Sequence, residues 1–281
     1  MSASVRRGRA VRLTATYVIL SVAALAVLVP VLWMLSTALK TDQGIFSIPP
    51  RWIPEDFSLR AATRVWSLYP FFRYLTNSLL VVVSSTIVSV AFSCLAGYGL
   101  ARFRFPGRGS FLTFLLMSQM FPSIMLLVPY YKIFQTTGLV NTHTALILTY
   151  VSFTVPFCTW MMYGYFRAIP GELDESASID GAGRFQTFAR VIMPLAMPGV
   201  AAVAIYSFIT AWNEYMFALV LTQSEEMKTL AVGIGQMVGQ YRISWNDLMA
   251  SSLYASLPLL VIFVLLQRHL ISGLTAGAVK A

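Results

Sequence analysis

The sequence predicts an all-α membrane protein with six transmembrane helices, and three observations carry that prediction. Hydrophobic residues are 57% of the 281 and charged residues only 11%, where soluble domains carry about a quarter charged. A mean hydropathy of +0.71 implies more apolar surface than a soluble globule of this length can hide, so lipid has to act as part of the solvent. The remaining charges sit in short clusters between long uncharged runs. The net charge of +9 therefore reads as basic loops beside a membrane rather than as a nucleic-acid surface.

In chain order, residues 1–16 form a short cytoplasmic segment carrying Arg6, Arg7, Arg9 and Arg12. The apolar stretch after it is too long for the core of a signal peptide and more spans follow, so it reads as an uncleaved first span. About 20 apolar residues cross a bilayer as a helix. By that measure the spans fall near 17–39, 74–100, 111–130, 144–166, 195–221 and 248–266, which together make residues 17–281 one transmembrane domain. Pro30, Pro122, Pro156, Pro198 and Pro258 lie in or near these spans and predict kinks.

Six spans put both termini on one side. Arg102, Arg104 and Arg108 crowd one short loop there, which makes that side the cytoplasm. The long outer segments are 40–73, rich in Pro and Trp, and 222–247, which holds Gly233, Gly235 and Gly239. Those glycines fit no dinucleotide fingerprint, and the segment is either a folded-back loop meeting a partner or the pathway, or a plain connector. No GxxxxGK[ST] phosphate-cradling pattern occurs, so the chain is not itself an ATPase. Cys94 and Cys158 lie in apolar runs without metal or redox spacing, and His143 and His269 are far apart, which predicts no metal site and no catalytic centre.

The informative stretch is the cytoplasmic loop 167–194. Pro170 suits the first turn of a helix, and Glu172, Asp174 and Glu175 complement that helix's positive end. Leu173, Ala177 and Ile179 give it a small apolar side, and Gly181 can adopt the dihedrals that stop it. A second short helix follows, with Phe185, Phe188 and Ile192 expected on one exposed apolar face, and Pro194 leads into the membrane. Such a hairpin is shaped to enter a groove on a partner; its bland alternative is a solvated turn joining two spans.

The order Glu175-Ser176-Ala177, then Asp180-Gly181-Ala182, then Val191-Ile192-Met193-Pro194 resembles the EAA loop of binding-protein-dependent ABC importer permeases. Ser176, Val191 and Met193 depart conservatively from that pattern. Phe208-Ile209-Thr210-Ala211-Trp212-Asn213-Glu214-Tyr215 is similar to the F-x-x-x-W-N-E-[FY] run of the carbohydrate group. The tail Gln267-Arg268-His269 with Gly273 to Lys280 is similar to that group's ending, although Ala281 stands where Gly is usual. The nearest type is the maltose-type second permease.

This resemblance implies the type I ABC importer permease fold, in the inner membrane of a prokaryote with both termini cytoplasmic. It also implies a sister permease, two ATPase subunits that bind ATP and magnesium themselves, an external solute-binding protein, and a sugar substrate. In that family the loop docks on the ATPase, so Glu175, Ser176, Ala177, Asp180, Gly181, Ala182, Phe185 and Pro194 become candidate coupling residues.

Glu214 is the one ionisable residue within a predicted span, and a charge at membrane depth usually faces a cavity or a partner. With Trp212, Asn213 and Tyr215 it offers the stacking faces and hydrogen-bonding groups that sugars prefer. The rival reading makes Asn213 and Glu214 architecture, packing against the sister permease or capping a helix break. Three other functions stand beside this reading: a glycerol-phosphate importer, an ion-coupled secondary transporter and an assembly protein. The predicted spans hold no basic residue to meet a phosphate, and Glu214 alone is thin support for ion coupling.

Overall fold

The computed structural model describes residues 3–239 and 243–278, with side chains for 12–239 and 243–268. Arg242 and Lys280 lie outside the described residues, as do the side chains of Arg6, Arg7, Arg9, His269 and the rest of the tail motif from Gly273. Apart from one isolated antiparallel bridge between Val238 and Ile243, the regular structure among the described residues is helical. The chain divides into two compact units, 1–70 with 236–254, and 71–235 with 255–281.

In the first unit, α1 (Ala3–Ala38) is apolar all round from Tyr17 onward, and among its described side chains only Ser36, Thr37 and Ala38 are buried. A helix that is hydrophobic on every side belongs in lipid or against another membrane helix. α2 (Arg60–Leu68) packs Ala61 and Val65 inward. Its Arg64 lies 2.8 Å from the buried Asp247 and 3.2 Å from the Asn246 amide oxygen, while Asn246 donates to Asp42 at 2.6 Å. The Asn246 hydrogen bond and the Arg64 charge hold the Asp42 carboxyl below the usual carboxylate range, against the opposing effect of burial.

The second unit is built on α3 (Phe71–Arg102), which packs along α6 (His143–Ala168), with α10 (Met197–Trp212) against both. The inward stripe of α3 runs Asn77, Ser78, Val81, Ser85, Ser89, Ser93 and Gly97 at helical spacing, while Leu80, Val83, Ile87, Phe92 and Leu95 point outward. Small and polar residues inside with large apolar ones outside is the pattern of a helix whose solvent is lipid. Ser89 and Thr154 share a hydrogen bond at 2.7 Å across the α3–α6 contact. A Cβ on Gly97 would lie 2.7 Å from the Met162 Cβ, so the close approach of the two backbones requires that glycine.

Four described helices are long and apolar enough to cross a membrane: Arg12–Ala38 of α1, α3, α6 and Trp245–Arg268. Two bent pairs bring the number to six if each counts as one span. The stretch predicted as a third span lies on α4 (Arg108–Ser118) and α5 (Leu127–Thr136), and Arg108–Ser118 meets Ser123–Thr136 at 91°. The stretch predicted as a fifth span lies on α10 and, after an interruption, α11 (Met216–Leu221), while the helical end of the preceding loop, Arg184–Leu195, meets α10 at 79°. Pro122 and Pro198 stand at those two bends, whereas Pro30, Pro156 and Pro258 sit within unbroken helices. The segment after α11 contains α12 (Leu230–Gln236), and α13 (Trp245–Ala278) is the last described helix.

Candidate functional site

The loop after α6 folds as two short helices. α7 (Glu172–Ile179) starts after Gly171, so Pro170 precedes the cap instead of occupying the first turn. Asp180 follows it, and Gly181 takes φ +81°, in the left-handed region. Ala182 N–H donates to the Ala177 carbonyl at 2.9 Å and Gly181 N–H to the Ser178 carbonyl at 3.1 Å. Those two bonds are the Schellman closure, which satisfies carbonyls that the helix end leaves bare. α8 (Arg184–Thr187) runs directly into a π-helical turn, Phe188–Ile192, and then into α9 (Met193–Leu195), which contains Pro194.

Only part of the expected apolar face is exposed. Phe188 and Ile192 are buried with Cys94, Cys158, Met162 and Phe166, while Phe185 is 74% exposed. The two buried residues open and close the π turn, which lays them on the spanning helices. On α7, Leu173 and Ala177 lie inward at i and i+4, but Ile179 is 87% exposed. Two residues past Ala177 at about 100° each carries Ile179 to the opposite side of the helix. The tip therefore presents Glu175, Ser176, Ile179, Asp180, Gly181 and Phe185 outward, while Ala177 is buried and Ala182 is half-buried.

The inner side of the loop is fastened by two residues not singled out for it in the sequence. Asp174 lies 2.8 Å from Arg102 Nε, and Tyr98 Oη donates to its other oxygen at 2.7 Å. Arg102 also donates to the Phe166 carbonyl in the last turn of α6 at 3.0 Å and to the carbonyl of Ile169, just past that helix, at 3.1 Å. The Tyr98 ring is 4.9 Å from Phe188 and 5.7 Å from Phe166. One carboxylate thus ties α7 to the ends of both α3 and α6. A signal existed in the sequence: an acid in the first turn at the membrane boundary needs a cation, and Arg102 closes a span on that side.

The Trp212–Tyr215 run forms the interruption between α10 and α11. Glu214 Oε1 accepts from Phe217 N–H at 2.8 Å, and Oε2 accepts from Ala218 N–H at 3.0 Å and Tyr150 Oη at 2.9 Å. The carboxylate caps the start of α11, which is the architectural alternative raised above. Trp212 Nε1 donates to the Ala255 carbonyl at 3.2 Å and its ring stacks on Phe208. Asn213 donates to the Ile209 carbonyl at 2.9 Å and is the one exposed member of the four. With Trp212, Leu230, Ala231, Ile234 and Ala255 it lines an open cleft of about 180 Å³.

Residues 89–275 match the family described as binding-protein-dependent transport system inner membrane component. The chain is 37% identical over 251 residues to a diacetylchitobiose uptake system permease of Streptomyces coelicolor, covering 89% of this chain and 91% of that one. It is 36% identical over 260 residues to a trehalose/maltose transport system permease of Thermococcus litoralis, covering 92% and 93%. Among solved structures, a chain of a bacterial ABC transporter involved in the import of the acidic polysaccharide alginate superposes with TM-score 0.79, at 22% identity over 95% of this chain and 98% of that one.

Proposed function

Since the chain belongs to the inner membrane components of binding-protein-dependent transport systems and has the type I ABC importer permease fold, we propose that it forms half of the membrane pathway for a di- or oligosaccharide. A sister permease supplies the other half, a solute-binding protein delivers the sugar, and two ATPase subunits bind ATP and magnesium. The sugar assignment is supported by the diacetylchitobiose and trehalose/maltose permeases, which this chain matches over nearly their whole length. Both termini and the 167–194 loop face the cytoplasm in this reading.

The observation that carries the mechanism is the division of the loop into a bare tip and a fastened inner side. Glu175, Ser176, Ile179, Asp180, Gly181 and Phe185 offer a polar rim around two exposed apolar anchors, suited to a groove on the ATPase. When ATP closes the ATPases, displacement of the tip passes through Asp174 to Arg102 and Tyr98, and so to α3 and the end of α6 together. The helices then move as packed bodies between inward- and outward-facing states. The chain transmits work and makes no bond itself. Glu214, with both oxygens engaged in the α11 cap, holds the pathway's broken helix in shape.

The test is Gly181→Pro in the complex reconstituted with its ATPase and sister permease. Proline holds φ near −65° where the turn needs +81°. The expected result is an assembled complex whose binding-protein-stimulated ATP hydrolysis falls at least tenfold. Unchanged stimulation would remove the coupling role from this loop and reopen the ion-coupled reading.

A further inference from the structure

Beside the loop, within the second unit, lies a cavity of about 610 Å³ whose walls carry Arg102, Arg104, Arg108, Arg167 and Arg184. The acids on the same wall are Asp174 and Glu175, and Asp174 is already paired with Arg102 and Tyr98. The Arg184 guanidinium stands 5.0 Å from the Phe103 ring centre and that of Arg108 stands 6.0 Å from the Tyr163 centre. A guanidinium held on an aromatic face keeps its in-plane N–H donors free. Arg167 spends one nitrogen on Tyr163 Oη at 3.3 Å, and Arg104 has no carboxylate within ion-pair distance among the described residues. Several unspent, converging guanidinium donors around an open cavity are the chemistry of phosphate recognition.

The position of these arginines specifies where the phosphate comes from. Arg102 is the last residue of α3, Arg108 the first of α4, and Arg167 the penultimate residue of α6. These are the ends, on one side, of two candidate spans and of the first limb of a bent one, so the cavity lies at headgroup depth. Phe103, Phe105 and Phe111 are exposed and interleave with the arginines, which suits the boundary between headgroups and acyl chains. A soluble anion has no use for such a collar.

We propose that this cavity holds the phosphate of an anionic phospholipid from the leaflet on the side of the 167–194 loop. The headgroup would join the ends of α3, α4 and α6 to α7 and α8, so lipid composition becomes an input to the motion of the loop. The assignment does not depend on which solute is carried.

The experiment places the full-length chain in nanodiscs of equal phosphatidylcholine and phosphatidylglycerol and identifies the co-retained lipid by native mass spectrometry. The variants are Arg104→Gln/Arg108→Gln/Arg167→Gln and the matching triple Lys variant, which keeps the loop's charge should loss of charge impair insertion. Wild type should enrich phosphatidylglycerol. The Gln variant should lose that preference by roughly fivefold per charge removed, and the Lys variant should keep a part of it. Millimolar inorganic phosphate or glycerol 3-phosphate should not displace the lipid. No enrichment in wild type, or equal enrichment in the Gln variant, overturns the proposal. Displacement by the soluble probes assigns the cavity to a free anion instead. Unchanged lipid enrichment together with weakened ATPase binding makes it part of a protein interface. None of these readouts requires transport, so the sugar-importer reading survives or fails separately.

Discussion

Two interruptions of the helical chain, the Gly181 turn and the Glu214 break, use an acidic residue in opposite ways. At the first, Asp174 reaches across to Tyr98, 76 positions away, and to Arg102, leaving the tip of its own helix bare. At the second, Glu214 spends both oxygens on the N–H groups of Phe217 and Ala218 in its own segment and accepts one further bond from Tyr150 of α6. A carboxylate that grips a neighbouring helix transmits displacement. One whose two oxygens both close on the backbone of its own segment, with a single added bond to α6, chiefly fixes a shape. The difference separates a moving part from a rigid one without reference to any ligand.

The comparison can be broken or sharpened on folding stability, from the largest effect down. Asp174→Ala leaves a mostly buried arginine and a tyrosine hydroxyl without their acceptor and should cost about 3 kcal/mol. Thermal unfolding in detergent measures that loss, and Asp174→Asn, which can still accept from Tyr98, should cost less. A cost under about 0.5 kcal/mol would mean that the loop is not fastened there.

Glu214→Ala removes a helix cap and the partner of Tyr150 and should cost about 2 kcal/mol. Glu214→Gln keeps an acceptor and should be milder. If Glu214→Gln folds like wild type yet loses transport, the carboxylate has a role in the pathway beyond its cap.

Ile179→Ser with Phe185→Ser should change folding by no more than about 0.5 kcal/mol, because both side chains stand in solvent. The same pair should abolish co-purification of the ATPase. Retained co-purification would leave the bare tip without a partner.

The smallest effect concerns acid. Asp42 has a depressed folded pKa, so its contribution is complete above the unfolded carboxyl value near about 4 and is lost as pH falls through the folded value. Asp42→Asn should flatten the acid limb of a tryptophan-fluorescence titration, since Trp66 packs on Tyr254 in the same unit. Identical limbs would show that the Asp42–Asn246–Arg64 network adds nothing.

Those outcomes divide along the line between what was legible in the sequence and what was not. The Gly181 turn was legible because its cause is local: an acidic first turn, eight helical residues and a glycine free to reach φ +81°. The class of fold was legible because apolar content and span length are properties of the chain alone. The burial of Phe188 and Ile192 was not, since a helix with an apolar face reads the same whether that face meets a partner or its own core. The bends at Pro122 and Pro198 look like Pro30, Pro156 and Pro258 in sequence, because a membrane helix tolerates proline wherever neighbours re-satisfy its carbonyls. The Asp174–Arg102 contact needed the third dimension. The cap at Glu214 was one of the readings open in the sequence, and its bonds to the Phe217 and Ala218 N–H groups are visible only in three dimensions.

The serine-lined inner stripe of α3 has a thermodynamic consequence. Leaving that stripe for lipid exposes little apolar surface to water, so separating α3 from α6 within the bilayer carries a small heat-capacity change. The stability of that contact should vary almost linearly with temperature. It should show neither the dome of a soluble domain nor its weakening in the cold, so an importer built on this chain would keep its helices joined on chilling.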